Sequence, residues 1–534
     1  MTVQLPATQA VPRSKRSFRY GLIVLVCILV AVPAFYAVVF SLYWPFTQQN
    51  LIDVLQERSL RSVTIGRFQR TYFPPGCVAE QVGFLRIKHK EKAPLLTISK
   101  LIIETSYPRL ITFQWKLETV RVIGLHVMVP AKEPVGEPSP IIPLTYSDSK
   151  ASMPIANLYA DGAMLDFYRE SNPKPLRITV HKLAMHNIDT NTAFTYDVQL
   201  QNSEPPGTIT SQGTFGPWNP NDVGSVPAHG SFRYDNVNLG FYKDLSGTLA
   251  ANGKFDGTLA RLIVAGVADV PEFKVADANH KRRLLVNYQT AVNATNGDVD
   301  LTQVRADFDR TSLLVKGSIT GVKDHPGKNV SVDISSGHSR IEDFMDLFIS
   351  GKQAPVMGNA NLQMHVVVPA ERTSFLASVT ATGRFGIEDG KFADKDTEQS
   401  LTRLSDSATK GKSNPPTDVT DDTLVLSDLK GQVTARDGMA HLSHIEFQMP
   451  GAEAMLDGTF NLLNYRTDMR GTLITKGDVS ATETGFKSFL LKALTPFLKR
   501  ENHAKVVPFV VAGPYGSVRI SLDLGRKSQP DPKH

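Results

Sequence analysis

Hydrophobic and polar residues follow more than one rhythm along this chain. From Tyr20 to Phe46 there is no alternation and no charge, over a stretch longer than the roughly 20 helical residues that cross a bilayer core. Arg13, Lys15, Arg16 and Arg19 precede it, Tyr43 and Trp44 sit at its outer end, and Asp53 and Glu57 follow. That asymmetry predicts a transmembrane helix over 20–46, a short cytoplasmic tail over 1–19, and a body on the other side of the membrane. A cleaved signal peptide is the competing account, since Val32, Pro33 and Ala34 resemble a cleavage site. The apolar run continues beyond them to Phe46, which favours a retained anchor.

A short helical pattern follows over 50–57, with Asn50 as its cap and Leu51, Val54 and Leu55 on one face. Beyond it the period shortens to two, and helix and β segment together make a first unit spanning 47–130. Ile123, Leu125, Val127 and Val129 alternate with Gly124, His126 and Met128. Val330, Val332 and Ile334 alternate with Ser331, Asp333 and Ser335, and Leu362, Met364 and Val366 with Gln363, His365 and Val367. Such text predicts strands that are apolar on one face and wet on the other. Pro134, Pro138, Pro140 and Pro143 mark 131–150 as a loop or linker.

Through the main body, 151–480, the pattern glycine, any residue, apolar residue recurs, as at Gly207, Gly213, Gly230, Gly253, Gly383, Gly431 and Gly471. Glycine at turns or bulges between short strands accounts for it, and the uneven spacing excludes a propeller or solenoid of fixed repeat. The expected fold is mainly β: an elongated, curved antiparallel sheet with few helices. Little helix is available to cover its apolar face, so the sheet either closes into a sandwich or curls into a groove around an apolar ligand.

Helical spacing returns at Ile341–Ile349 and over 481–505. There Phe486, Phe489, Leu490 and Leu494 form a stripe, with Lys487 and Lys492 elsewhere around the axis. This amphipathic segment either caps the sheet or lies on a membrane surface. Residues 506–524 return to strand and 525–534 form a tail.

Charge and chemistry narrow the function. The net charge of +6 is concentrated at the ends, with Arg13, Lys15, Arg16 and Arg19 in one tail and Arg526, Lys527 and Lys533 against Asp531 in the other. The folded body is therefore near neutral and offers no basic stripe for nucleic acid. Cys27 and Cys77 are the two cysteines; the latter stands alone in the body and reads as a small buried hydrophobe. No phosphate loop, dinucleotide fingerprint or nucleophile elbow is present. His441 and His444 fall on a predicted strand that points them to opposite faces, and Asn296, Gly297 and Asp298 read as a hairpin turn, not a calcium loop. Asp389 and Gly390 give a second turn signal. No enzyme activity and no cofactor is expected.

Several runs resemble the AsmA-like family: Gly213 to Pro220, Gly247 to Leu259, Asp269 to Val275, Asn296 to Leu301 and Met449 to Leu462, together with a terminal helix followed by a strand. The resemblance implies a bacterial inner-membrane anchor and a periplasmic β-groove with an apolar lining, in proteins linked to phospholipid movement between the two envelope membranes. The partners it implies are the membrane and phospholipids. Ile123, Leu125, Val127, Val330, Val332, Ile334, Leu362, Met364 and Val366 are the expected groove residues. An assembly factor that pairs its sheet edge with strands of an outer-membrane or other envelope protein is the alternative.

Overall fold

The computed structural model describes most residues between 44 and 523. A few positions between 29 and 38 are described as well; 1–28, 131–153, 393–424, 477–503, 524–534 and shorter loop segments lie outside the described residues. Most of the 20–46 stretch, the 131–150 linker and the amphipathic segment with Phe486, Lys487, Phe489, Leu490, Lys492 and Leu494 therefore lie outside them. No helix among the described residues is long and apolar enough to cross a membrane.

The fold is mainly β, one long, curved, open sheet with few helices. Its first strands are β1 (Val63–Tyr72), β2 (Pro75–Phe84), β3 (Leu96–Glu104), β4 (Leu117–Val129), β5 (Ile155–Arg169) and β6 (Asn172–Ile188). They are followed by β7 (Phe194–Ser203), β8 (Pro206–Phe215), β9 (Pro227–Asn238), β10 (Leu245–Ser246), β11 (Thr248–Thr258) and β12 (Arg261–Val275). Next come β13 (Arg282–Asn293), β14 (Asp298–Phe308), β15 (Thr311–Gly321), β16 (Lys328–Arg340), β17 (Val356–Val368) and β18 (Thr380–Phe392). The last are β19 (Val425–Arg436), β20 (Met439–Met449), β21 (Ala452–Asn461), β22 (Arg466–Lys476), β23 (Ala504–Pro514) and β24 (Arg519–Leu522). Besides helical positions between 29 and 38 and two short 3-10 turns, the described helices are α1 (Gln48–Ser59), α2 (Tyr107–Ile111), α3 (Ile341–Phe348) and the single turn α4 (Phe375–Ser378).

Connectivity is a meander: strands pair with their successors, except that β9 pairs directly with β11 and the two-residue β10 pairs with β12. All pairs are antiparallel but one. The β4–β5 pair is parallel, Val120 opposite Leu158 and Val127 opposite Leu165, which is a correction to the purely antiparallel expectation. A parallel pair needs a crossover and not a hairpin, so the proline-rich stretch after β4 joins strands running in the same direction.

Two local expectations also change. The helix α1 begins at Gln48, because Thr47 supplies the cap: its Oγ1 accepts from the Asn50 N–H at 3.2 Å and its carbonyl from the Leu51 N–H at 3.0 Å. Asn50 is thus inside the helix. The body glycines are mostly not at turns. Gly213 faces Gly230 and Gly253 faces Gly266 in mid-strand. A Cβ on Gly266 would stand 2.1 Å from the Asn252 carbonyl and 2.6 Å from the Tyr288 hydroxyl. On Gly431 it would meet the Phe385 ring at 2.7 Å, and on Gly471 the Phe509 ring at 2.8 Å. These glycines let an aromatic ring lie flat across the neighbouring backbone, a device that also curves and pins a sheet.

Left-handed residues inside strands add curvature of another kind. Gln81 (φ 56°), Gly124 (φ 62°) and Gly162 (φ 66°) fall at matching levels of β2, β4 and β5, and Asp389, Asp428 and His444 have positive φ in β18, β19 and β20. Each takes up one position without continuing the alternation. Asp389 is therefore a bulge within β18 and not a hairpin turn, whereas Gly297 (φ 77°) does sit in the β13–β14 turn.

Replacing Gly266 by Val should destabilise the protein by about 1–3 kcal/mol, the usual cost of overpacking, read as a lower denaturant midpoint. An unchanged midpoint would show that the ring over Gly266 moves aside freely.

Candidate functional site

Paired residues in a β-ladder share a face, so the register can be followed from strand to strand across the sheet. One such line runs Phe68, Ala79, Leu101, Val122, Ala160, Leu183, Val198 and Ser211. It continues through Phe232, Gly253, Gly266, Tyr288, Val304, Val315, Ile334 and Met364. It ends with Gly383, Val433, Leu442, Gly458, Met469, Val511 and Ile520. The line touches every strand except β10 and contains no charged residue. Its two hydroxyl side chains are satisfied within the sheet, Ser211 donating to the Ser231 carbonyl at 3.0 Å and Tyr288 to that of Asn252 at 3.2 Å.

A line one residue away lies on the other face and has the opposite character: Arg67, Glu80, Lys100, Ile123, Asp161, Lys182, Gln199, Thr210, Arg233 and Asn252. Farther on it passes Arg305, Leu314, Ser335, Gln363, Arg384 and Gln432. The apolar face is buried or half-buried, yet its clusters draw only on nearby elements. One joins Val63, Ala79, Val82, Leu101 and Val120 with Leu51 of α1; another joins Ile445, Ala454 and Leu456; a third joins Ala381, Ala435 and Ala440. No second sheet is present among the described residues.

Eight of the nine residues expected to line a groove belong to this face. Val330, Val332 and Ile334 pair with Val368, Val366 and Met364, and Leu362 pairs with Phe385. Leu125 packs with Val122 against the first cluster, and Val127 is buried. Ile123 is the exception and a correction: it pairs with Lys100 and Asp161 on the polar face. Gly124, at φ 62°, breaks the alternation between it and Leu125. Sequence period missed the rings of Phe232, Tyr288, Phe385 and Phe509, whose only signal was a glycine at a neighbouring strand level; it missed Phe68 as well, which faces Ala79.

One rim of this face is walled by α3. Phe344 meets Phe308 edge-on at 5.6 Å and Leu347 is buried. The buried carboxylates of Glu342 and Asp343 hold the helix down: Arg310 donates to Glu342 at 2.9 Å and to Asp343 at 3.3 Å, Thr311 to Asp343 at 2.9 Å, and Arg340 to Glu342 at 2.8 Å. Burial pushes Glu342 upward, but backbone N–H groups, Gly358 among them, and Arg340 outweigh it and hold its carboxyl below the ordinary range. Arg282 reaches from β13 to Asp346 at 2.7 Å. Elsewhere along the sheet, Ser374 before α4 donates to Asp244 in the β9–β11 connection, so the curled sheet brings distant strand ends together.

The polar face holds the other candidates. A depression of about 1140 Å³ is lined by Arg305, Leu314, Arg384, Lys430 and His444 among others. Its charged side chains are engaged with neighbours, Arg305 with Asp307 at 2.9 Å, Lys430 with Glu446 at 3.2 Å and Arg384 with Gln363 at 2.8 Å. His126, Asp166 and Arg177 form a second cluster, the Asp166 side chain 2% exposed, with Arg177 at 2.7 and 2.8 Å and His126 at 3.0 Å. The Arg177 hydrogen bonds hold the Asp166 carboxyl low despite its burial. That is the chemistry of a structural ion pair. His444 presents its backbone N–H to Asp457 at 2.8 Å, so the bulge there serves the ladder. Cys77 is buried and its thiol is pushed up to about 12 by burial, which makes it inert. Among the described residues no group of three or more His, Cys, Asp or Glu is placed to hold a metal ion.

No family model, curated protein or solved structure matches the chain.

The Asp166 cluster yields a pH expectation. Its folded pKa lies below the unfolded value of about 3.9, so its contribution is complete above that value and is lost as pH falls through the folded one. Asp166→Asn should cost about 1–3 kcal/mol at pH 7, the range for charged hydrogen bonds, with the lower end favoured because Arg177 is half-exposed. The deficit should shrink between pH 5 and 2 in denaturant titrations; a deficit independent of pH would refute the assignment.

Proposed function

We propose that this protein is a non-enzymatic, AsmA-like envelope protein that shields phospholipid acyl chains against its continuous apolar face and assists their transfer between membranes. The single observation that supports this most is the uncharged register line from Phe68 to Ile520, on a curved sheet with no second sheet among the described residues. On this reading the chain is held in a bacterial inner membrane by residues 20–46, with its N-terminus in the cytoplasm and its body in the periplasm. The described positions of that stretch are helical, and Leu29, Val30, Phe35 and Val38 are 57–67% exposed, as suits side chains that face lipid. Acyl chains lie along the apolar face, headgroups stay in water, and burial at about 25 cal/mol per Å² drives the association. No cofactor takes part.

A second reading is favoured by one specific feature. Among the described residues the strand β1 pairs only with β2, so its outer edge offers backbone groups to a strand of another envelope protein. A stoichiometric protein partner bound through that edge would support an assembly role.

Purified full-length protein should carry phospholipid detectable by mass spectrometry. The pair of substitutions Val330→Asp and Met364→Asp, both at half-buried positions, should remove most of that lipid while the far-ultraviolet circular dichroism stays unchanged. Undiminished lipid in the folded variant sinks the proposal. So does unfolding of the variant, which would identify a sealed core.

A further inference from the structure

The N-terminal end of the sheet carries an aromatic cluster beside the apolar line, joined to it where Phe46 packs against the first apolar cluster. Trp44, at the close of the uncharged stretch, is buried, with its ring centroid 4.9 Å from that of Tyr72 and 6.1 Å from that of Phe46. Tyr72 and Phe73 are at the tip of the β1–β2 hairpin. Phe73 lies 5.7 Å from Tyr107, whose hydroxyl donates to the Tyr72 carbonyl at 2.8 Å. The helix α2 thus stands beside the hairpin tip, and the cluster runs without a gap from Trp44 to Tyr107.

Its outer surface is unusually bare. Phe73 is 89% exposed, Tyr72 50% and Ile111 40%, with Pro74 and Pro108 also exposed. Phe73 is the most exposed of the large hydrophobic side chains in the described residues. A phenylalanine held out at a rigid hairpin tip gains nothing in water, whereas aromatic rings favour the headgroup level of a bilayer.

We infer that the β1–β2 hairpin tip and α2 form a foot that inserts into the interface of the membrane holding residues 20–46. This rests on the anchoring part of the proposed function and goes beyond it. The anchor alone would leave the body swinging on its tether. A foot sharing ring contacts with Trp44 fixes β1 at the membrane surface, so that the apolar face begins where lipid is taken up or delivered. The occupant of the patch is a phospholipid bilayer, as its continuity with the uncharged stretch indicates.

The test uses the full chain in phosphatidylethanolamine–phosphatidylglycerol proteoliposomes, carrying Cys27→Ala so that an introduced cysteine can be labelled; Cys77 is buried and protonated, hence unreactive. A polarity-sensitive fluorophore at Phe73→Cys should emit with a blue shift relative to free dye and should be quenched by lipids brominated near the headgroup end of the acyl chain. The same label at Thr434→Cys, an exposed position on β19, should show neither effect. Because Phe73 is almost fully exposed, its replacement leaves the fold intact. If the chain fails to float with the liposomes, the anchoring reading falls. If it floats but the label at position 73 is not quenched, the foot falls alone, and a blue shift without quenching would assign the patch to a protein contact instead.

Discussion

Everything in this structure depends on the β-ladder, which forces directly paired residues onto the same face. Once β1 and β2 are in register, Phe68 and Ala79 share a side, and each further strand either extends that side or spoils it. A single-residue slip anywhere would interleave the apolar line with the Arg67–Glu80–Lys100 line beside it and bring charge onto the apolar face. Bulges are the one permitted irregularity. Between Val122 and Leu125, and between Leu442 and Ile445, a left-handed residue absorbs the odd position, so that apolar side chains on both flanks stay on one face while the strand bends. Curvature and chemical continuity therefore have the same cause.

That cause explains what could be read from the sequence and what could not. Period-two text at Val330–Ile334 and Leu362–Val366 identifies strands and their apolar side correctly, because nothing interrupts alternation there. At Ile123 the same reasoning fails: Gly124 looks like any small residue in an alternating run, and only its φ of 62° reveals the change of phase. The glycine-rich pattern was visible too, but its meaning lies across strands. Gly431 is needed because Phe385 of the adjacent strand covers it, and the sequence distance between them carries no local signature. The parallel β4–β5 pair was beyond reach for a similar reason, since a long loop permits either direction.

The two faces hold the sheet together in different ways. The polar face is cross-linked by side chains such as Arg177 with Asp166 and Arg283 with Asp269, two bidentate pairs within the sheet, and bidentate geometry gives directional holding that a lone surface pair lacks. With 23 strands in register and neighbours roughly 4.8 Å apart, the ladder extends roughly 105 Å. Such a long sheet is stable only if each strand is secured to the next, for it has no distant core to rely on. Among the described residues the exceptions are the N-terminal end, where α1 packs on the first apolar cluster, and the α3 rim.

On the proposed reading, uniformity along the apolar line matters more than any single residue in it. An acyl chain gains about 0.8 kcal/mol per buried methylene, so a face that varied sharply from strand to strand would trap lipid at its best position. Here Val, Leu, Ile, Met, Ala and Gly alternate with occasional rings, and the hydroxyls of Ser211 and Tyr288 are already bonded to carbonyls within the sheet. Neither presents a free polar group that would repel an alkyl chain or fix a headgroup. A chain moving by one strand exchanges one such contact for another of similar kind. On this reading transfer needs no catalytic group, and described charged clusters such as Arg177 with Asp166 and Arg283 with Asp269 lie on the other face, away from the path.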